Sequence, residues 1–341
     1  MNHPIRAAII GCGAIHHIHR GVLQQLDGVQ IAAVCDDKSQ RAQDAAEALG
    51  CAAYTDYREL LADGSIDAVH ICTPHYLHAP MAIAALRAGK YVLVEKPMAT
   101  SVADARAMIA EDMAAGGGRL CVVFQNRYNH ASQVLRDTVA SGAFGALQCA
   151  RGSVVWHRDE AYYSDDWHGR KTTECGGVMV NQAIHTLDLM QWLCGGAAQI
   201  KGAVSTDALM GIIDVEDSAH ARIVMKSGVP AVFYATVAYG ADSPVELELI
   251  FERGKFLLKG ESLFRTDDGF TRLCAPDGAP IGQKDCWGSG HRTQIADFYR
   301  CIAEGKPFAI DGVQGIEAVK LVYALYESSA TGRGVTLEET L

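Results

Sequence analysis

The chain has 341 residues, which at roughly 100 to 200 residues per domain implies two domains with sizeable cores and excludes a disulfide-stapled miniprotein. Hydrophobic residues make up 49% and charged residues 21%, an ordinary globular balance that leaves little room for a long disordered tail. Against 40 Asp and Glu stand 30 Lys and Arg, a net charge of -10, so no global basic field recruits nucleic acid or an anionic membrane.

From the N-terminus to about residue 125, short apolar runs alternate with longer helical patterns. IRAAII (5–10), VQIAAVC (29–35), IDAVHIC (66–72), KYVLVE (90–95) and RLCVVF (119–124) read as buried parallel strands. HHIHRGVLQQL, SQRAQDAAEALG, HAPMAIAALRAGK and SVADARAMIAEDMAA between them carry apolar residues at helical spacing, and Gly50 and Gly89 stand where a helix end favours a left-handed residue. Such alternation predicts a doubly wound α/β domain. Beyond residue 145 the rhythm becomes that of longer strands, clearest in PVELELIF (244–251), where Val245, Leu247 and Leu249 alternate with Glu246 and Glu248. One helix over 176–193 interrupts these strands and two more, at about 291–304 and 314–329, close the chain, which predicts an α+β second domain with a mostly antiparallel sheet. The expected domains are 1–125 and 126–341.

The first apolar run is too short to span a bilayer and lacks the layout of a signal peptide, and no other segment reaches the roughly 20 apolar residues a span requires. The 11 cysteines include no CxxC pair and lie scattered in apolar runs, as buried hydrophobes in a reducing cytoplasm would. Cys12 and Cys72 flank chemically interesting positions, and oxidation of either is expected to block cofactor binding.

Gly11, Cys12 and Gly13 follow the first strand and open a helix, where a dinucleotide pyrophosphate meets backbone N–H groups and the positive end of a helix dipole. Gly11 permits the tight turn, Gly13 lets phosphate approach, and Ala14 and Ile15 complete the loop. His16 replaces the third glycine of the usual pattern. Asp36 ends the second strand, placed to accept hydrogen bonds from the adenosine ribose, and the adjoining Asp37, rather than an arginine, favours NAD over NADP. The histidines of IHHIH (15–19) suggest a metal, but no acidic or cysteine partner is visible nearby in sequence, so no metal site is expected.

The segments ICTPHYLH (71–78), AGKYVLVEKP (88–97), FQNRYN (124–129), GGVMVNQAIHTLDLMQWL (176–193) and YESSATGRGVTL (326–337) resemble, in order, the Gfo/Idh/MocA family, named for glucose-fructose oxidoreductase, inositol dehydrogenase and a rhizopine-catabolism protein. The resemblance implies a Rossmann NAD(P)-binding domain with a parallel sheet, then an α+β domain whose open sheet forms oligomer contacts, giving a homodimer or homotetramer. It implies an oxidoreductase acting on a sugar, glycoside or cyclitol, with Lys96 and His185 as the chemical pair. Thr73, Pro74, His75, His78 and Glu95 then lie along the cofactor, and Pro97 sits where a cis peptide bond is common.

Elementary chemistry suits that pair: histidine exchanges a proton near neutral pH, and a lysine ammonium stabilises a developing alkoxide. Asp188, three residues beyond His185, faces the same side of a helix and either orients it or caps backbone. Asn181 occupies a position where many members carry Asp; an amide accepts no proton, so Asn181 is expected to orient substrate or imidazole. Cys175 stands in place of the first glycine of a GGG run. Gln182, Arg127, Tyr128, Trp156, Arg158 and Trp167 are further candidate substrate contacts, with His157, Tyr162, Tyr163 and His168 nearby in sequence; such flat and hydrogen-bonding side chains suit carbohydrate. Arg127 or Arg158 would read a carboxylate or phosphate if the substrate is acidic. Rival readings are a sensor that binds NAD and ligand without turnover, and a reductase of another small carbonyl compound.

Overall fold

The computed structural model describes residues 3–274 and 290–337. Its first stretch runs β1 (Ile5–Ile10), α1 (His16–Leu23), β2 (Val29–Cys35), α2 (Ser39–Leu49), β3 (Ala52–Tyr54), α3 (Tyr57–Ala62), β4 (Ala68–Ile71), α4 (His78–Arg87), β5 (Tyr91–Val94), α5 (Val102–Ala114) and β6 (Leu120–Val122). The strands pair in parallel in the order β3-β2-β1-β4-β5-β6. The order reverses between β1 and β4, and the crevice at the carboxyl ends of the strands beside such a reversal is where open α/β sheets bind ligands.

Local chemistry accounts for the elements. Ala7, Ala8 and Ile9 are fully buried, as expected of strands covered on both faces. Gly50, at φ +64°, closes α2 in the left-handed region, and the Ser101 hydroxyl accepts from the Asp104 N–H at the start of α5. The three-residue β3, mostly exposed, has no sequence signature of a strand.

The second stretch runs α6 (His130–Ala140), β7 (Leu147–Val155), α7 (Val178–Asn181), α8 (Ile184–Cys194), β8 (Ala197–Ser205), β9 (Ser218–Met225), β10 (Pro230–Thr236), β11 (Glu246–Phe251), β12 (Gly254–Lys259), β13 (Ser262–Arg265), β14 (Thr271–Cys274), α9 (Gly290–Glu304), α10 (Gly312–Thr331) and β15 (Val335–Thr336). Nine strands pair as β14-β13-β12-β11-β7-β10-β9-β8-β15. All of these pairs are antiparallel except β7 with β10. In β11 the alternation is as read: Leu247 and Leu249 are buried while Glu246 and Glu248 are half-exposed.

Two compact units result. The first takes in Met1–Gln125 and also His291–Ile316, which the sequence reading assigns to the second domain; the other takes in Asn126–Pro280 and Glu317–Leu341. The physical reason lies in α9: Ile295, Phe298, Tyr299 and Ile302 join Ile9, Val34 and Leu93 in one core. Burying Phe298 alone contributes roughly 1.5–3 kcal/mol, which outweighs proximity in sequence.

A second correction concerns residues 176–193, read as one helix. It divides into α7 and α8, because the Ala183 N–H reaches back five residues to the Val178 carbonyl, which also accepts from Gln182. Such wide, π-type turns are frequent at functional sites.

Candidate active site

The nucleotide end is built at the reversal of strand order. Gly11 has φ +95°, and a Cβ there would lie 2.6 Å from the Cys72 carbonyl oxygen and 2.9 Å from the Thr73 nitrogen, so only glycine lets β1 turn beside the end of β4. A Cβ at Gly13 would meet no described atom within 4 Å, leaving open space over the loop. Ile15 is the N-cap of α1, whose first turn carries no acidic residue to oppose a phosphate. Asp36, 7% exposed, accepts from the backbone N–H of Cys12 at 2.9 Å and of Lys38 at 3.0 Å, which locks the end of β2 to the glycine turn. Its oxygens retain lone pairs for a ribose hydroxyl. These residues fit a dinucleotide.

Two details qualify the sequence reading. Arg41, on α2, places its guanidinium 3.5 Å from Asp36, an arginine that counting immediate neighbours overlooks. His16 is 1% exposed with neither ring nitrogen hydrogen-bonded among the described residues, and burial, then Arg20, push its pKa down to about 4. Burial, then Asp36, push the Cys12 thiol up to about 12, and burial pushes Cys72 well above the ordinary range. Both shifts disfavour the thiolate, the form that oxidation attacks.

At the end of β5, Glu95, Lys96 and Pro97 turn out of the sheet through a cis Lys96–Pro97 bond. Thr73 and Pro74 lead into a short 3-10 turn, His75–Leu77. His78, expected along the cofactor, is instead a structural clamp. It is 1% exposed, with Nδ1 2.7 Å from the Pro97 carbonyl oxygen and Nε2 2.8 Å from that of Thr73, joining the β4 and β5 turns. Burial lowers its pKa, while those two carbonyls oppose the shift.

Glu95 is also held by protein groups: Oε1 lies 3.0 Å from His19 Nε2 and 3.7 Å from His291 Nε2, and Oε2 accepts from the Lys96 backbone N–H at 3.2 Å. His19 therefore has an acidic partner, which the sequence reading of IHHIH did not find because Glu95 and His291 are remote in the chain. Behind it, His19 Nδ1 lies 2.7 Å from His70 Nδ1, and His70 Nε2 lies 2.7 Å from the Tyr299 hydroxyl.

The site residues of the second unit centre on the wide turn. Glu216 accepts from the N–H groups of Gly177 and Met179 and from the Tyr326 hydroxyl, anchoring the entry to α7. A Cβ on Gly177 would lie 1.9 Å from the Glu216 carbonyl oxygen, so glycine is obligatory there. Cys175 has φ +66°, the left-handed region that explains a glycine in the resembling pattern. Asn181 Nδ2 donates to Glu174 Oε1 at 2.6 Å and to the Tyr162 hydroxyl at 3.3 Å, and Gln182 Nε2 reaches the same hydroxyl at 3.4 Å. Glu174, 1% exposed and absent from the sequence reading, explains the amide at 181: a buried carboxylate needs a donor opposite it. His185 stands half-buried on the first turn of α8.

Arg127 is a correction. It is 4% exposed, and its Nε and one terminal nitrogen hold the two oxygens of Asp188 at 2.7 and 2.6 Å, a bidentate pair inside the unit rather than a reader of substrate. Asp188 is thereby a partner of Arg127. Tyr128 ends the adjoining 3-10 turn, half-buried. Arg158 pairs with Asp242 at 2.9 Å and lies over the rings of Trp156 (5.1 Å) and Tyr162 (5.3 Å). Trp167 packs on His168 with ring centroids 3.7 Å apart, and the His168 ring meets that of Tyr162 at 4.8 Å. The predicted aromatic residues thus form a connected patch around Tyr162.

A parallel sheet with a glycine turn and a strand-end acid, joined in one chain to a second unit carrying a half-buried histidine, defines the class of dinucleotide-dependent oxidoreductases. Residues 5–124 match the family model described as oxidoreductase family, NAD-binding Rossmann fold, and residues 132–257 match the GFO/IDH/MocA C-terminal domain. The chain belongs to the GFO/IDH/MocA family and is an NAD-dependent dehydrogenase. It is 27% identical over 349 residues to the myo-inositol 2-dehydrogenase of Thermotoga maritima, covering 99% of this chain and 100% of that one. To the 4-carboxy-2-hydroxymuconate-6-semialdehyde dehydrogenase of a Sphingobium species it is 28% identical over 308 residues, 89% and 91% of the two chains. Among solved structures, the WlbA dehydrogenase from Bordetella pertussis, in complex with NADH and UDP-GlcNAcA, superposes with a TM-score of 0.86 at 28% identity over 98% of this chain and 99% of that one. A levoglucosan dehydrogenase solved with NADH gives 0.87 at 22% identity, a likeness of fold. No helix among the described residues is long and apolar enough to cross a membrane.

Proposed function

We propose that this chain oxidises a ring carbinol of a sugar, glycoside or cyclitol, with Lys96 and His185 as the chemical pair. The bound nicotinamide supplies a hydride acceptor at C4. His185 takes the hydroxyl proton as the carbinol hydrogen leaves with its electron pair, and returns it in the reverse direction. The Lys96 ammonium hydrogen-bonds the oxygen as negative charge develops on it. Asn181, its donors directed to Glu174 and Tyr162, orients substrate or imidazole and transfers no proton itself, and Gln182 with the aromatic patch of Trp156, Tyr162 and Trp167 contacts the ring. Gly11, Gly13 and Asp36 cradle the cofactor, with Thr73, Pro74 and His75 along it.

The observation that carries this reading is the end-to-end likeness to a myo-inositol 2-dehydrogenase, with a lysine two residues beyond β5 and a histidine in the first turn of α8. A nucleotide-sugar acid is a second reading, favoured by the 28% identity to a dehydrogenase solved with UDP-GlcNAcA. The half-exposed Val232 and Tyr234 on the second sheet support a homodimer or homotetramer, and the described cysteines, none joined in a disulfide, support a cytoplasmic setting. A screen of inositols, sugars, glycosides and sugar acids, followed by absorbance of the reduced nicotinamide with NAD and NADP in parallel, tests the reading. Turnover of a cyclic polyol supports it; tight NAD and sugar binding with no turnover favours the sensor instead.

A further inference from the structure

Burying a carboxylate is costly unless its charge is matched or its lone pairs are filled, and Glu95 is 6% exposed. Burial alone would raise its pKa, yet the hydrogen bond from His19, with the attraction of His19 and of His291 3.7 Å away, holds it well below the ordinary carboxylate range. The proton arrangement follows from the network. Ionised Glu95 only accepts, so His19 Nε2 carries a hydrogen. Tyr299 is 4% exposed, its O–H kept protonated by burial, and its hydrogen finds its acceptor at His70 Nε2. His70 Nδ1 then donates to His19 Nδ1, and His19 Nε2 to Glu95. Every donor in this chain then meets an acceptor, and the chain ends on the Glu95 carboxylate. Its other oxygen binds the backbone of Lys96.

We propose that Glu95 is a positioning residue for the reaction: gripped by His19 and His291 and backed by His70 and Tyr299, it fixes a negative charge directly behind Lys96 and so keeps the lysine amine as the ammonium that catalysis uses. The proposal rests on the role of Lys96 given above. His78 from α4 and His291 from α9 lie within electrostatic reach of Lys96; burial lowers the pKa of each, and a histidine supplies no negative charge, whereas Glu95 does. The donor atoms of His19, Glu95 and His291 also lie within 4.8 Å of one another, a spacing a divalent cation would accept. The clamp is favoured because both nitrogens of His19 already lie at hydrogen-bonding distance from partners, Glu95 and His70.

The test is the ionisation of Lys96, read by competitive acetylation with acetic anhydride across pH and mass spectrometry of its peptide in the whole protein. The wild-type amine should titrate at or above the ordinary lysine value of about 10.4 despite its partial burial. Glu95→Gln, which keeps the shape and removes the charge, should lower it by on the order of one pH unit, and the alkaline limb of kcat/KM should move by the same amount in the same direction. Glu95→Asp should lose turnover but keep the Lys96 titration close to wild type. A wild-type amine titrating below about 9 would overturn the proposal, as would an unchanged titration in folded Glu95→Gln. Stoichiometric zinc binding by the wild type that His291→Ala abolishes would overturn it in favour of a metal site. If no polyol is turned over, the functional reading fails while the acetylation measurement still decides the role of Glu95.

Discussion

The pairing of Asn181 with Glu174 makes a sharp electrostatic prediction for Asn181→Asp, the residue many resembling proteins carry. The substitution puts a second carboxylate where the amide nitrogen now stands, 2.6 Å from Glu174 Oε1. Two unit charges at that distance repel by about 6 kcal/mol at an effective dielectric of 20. Rather than bear this, the pair holds one proton; with about 2 kcal/mol relieved as the side chains move apart, the remaining ~4 kcal/mol raises its upper apparent pKa from the ordinary range near 4 to about 7. A carboxyl whose folded pKa is raised binds more protons folded than unfolded, so its effect on stability is absent at low pH and grows as pH rises through the folded pKa. A rise of about three units gives a loss of roughly 4 kcal/mol above pH 7 and little below pH 4. Urea unfolding of wild type and Asn181→Asp at pH 5 and pH 8 measures this. The deficit should be much larger at pH 8, and Glu174→Gln combined with Asn181→Asp should remove most of the difference. An equal deficit at both pH values, unaltered by the second change, would refute the reasoning.

Three further outcomes follow from the same structure. Gly11→Ala forces a side chain into the Cys72 carbonyl at a left-handed φ, so it should lose at least about 2 kcal/mol in thermal unfolding and abolish NAD-dependent quenching of protein fluorescence; normal NAD affinity would contradict the reading of the turn. Cys175→Gly relieves a left-handed cysteine and should stabilise by up to about 1 kcal/mol, net of the entropy glycine adds to the unfolded chain, measured as a higher midpoint in urea. Arg127→Met leaves Asp188 buried without its partner and should lose about 3–5 kcal/mol. Burial already raises the Asp188 pKa against the pull of Arg127, so without Arg127 the variant should be less stable at pH 8 than at pH 5; the same denaturation pair checks it.

Much of this architecture is legible in the chain because local physics and the fold agree. Continuous apolar runs become β1, β2, β4, β5 and β6, and the period-two pattern of 244–251 becomes β11. Features that depend on distant partners leave no local trace. The slip that separates α7 from α8 is one hydrogen bond reaching five residues back instead of four, within a run whose apolar pattern continues unbroken. Arg127 and Asp188 stand 61 positions apart, so a sequence shows two charges near a pocket and not a buried pair. Glu174 had one local signal, an acidic residue directly before the Cys-Gly-Gly turn, but nothing that names Asn181 as its partner. His19, Glu95 and His291 come together only because α9 returns to the first core, which hydrophobic packing decides and spacing along the chain does not.

The central claim is that Lys96 and His185 perform the chemistry, and steady-state turnover of Lys96→Ala and His185→Ala on the best polyol found with NAD tests it most directly. Each variant should fold, bind NAD and lose at least about a hundredfold in kcat, the usual size for losing a proton-transfer or alkoxide-stabilising group. Wild-type kcat in either variant would contradict the account for that residue.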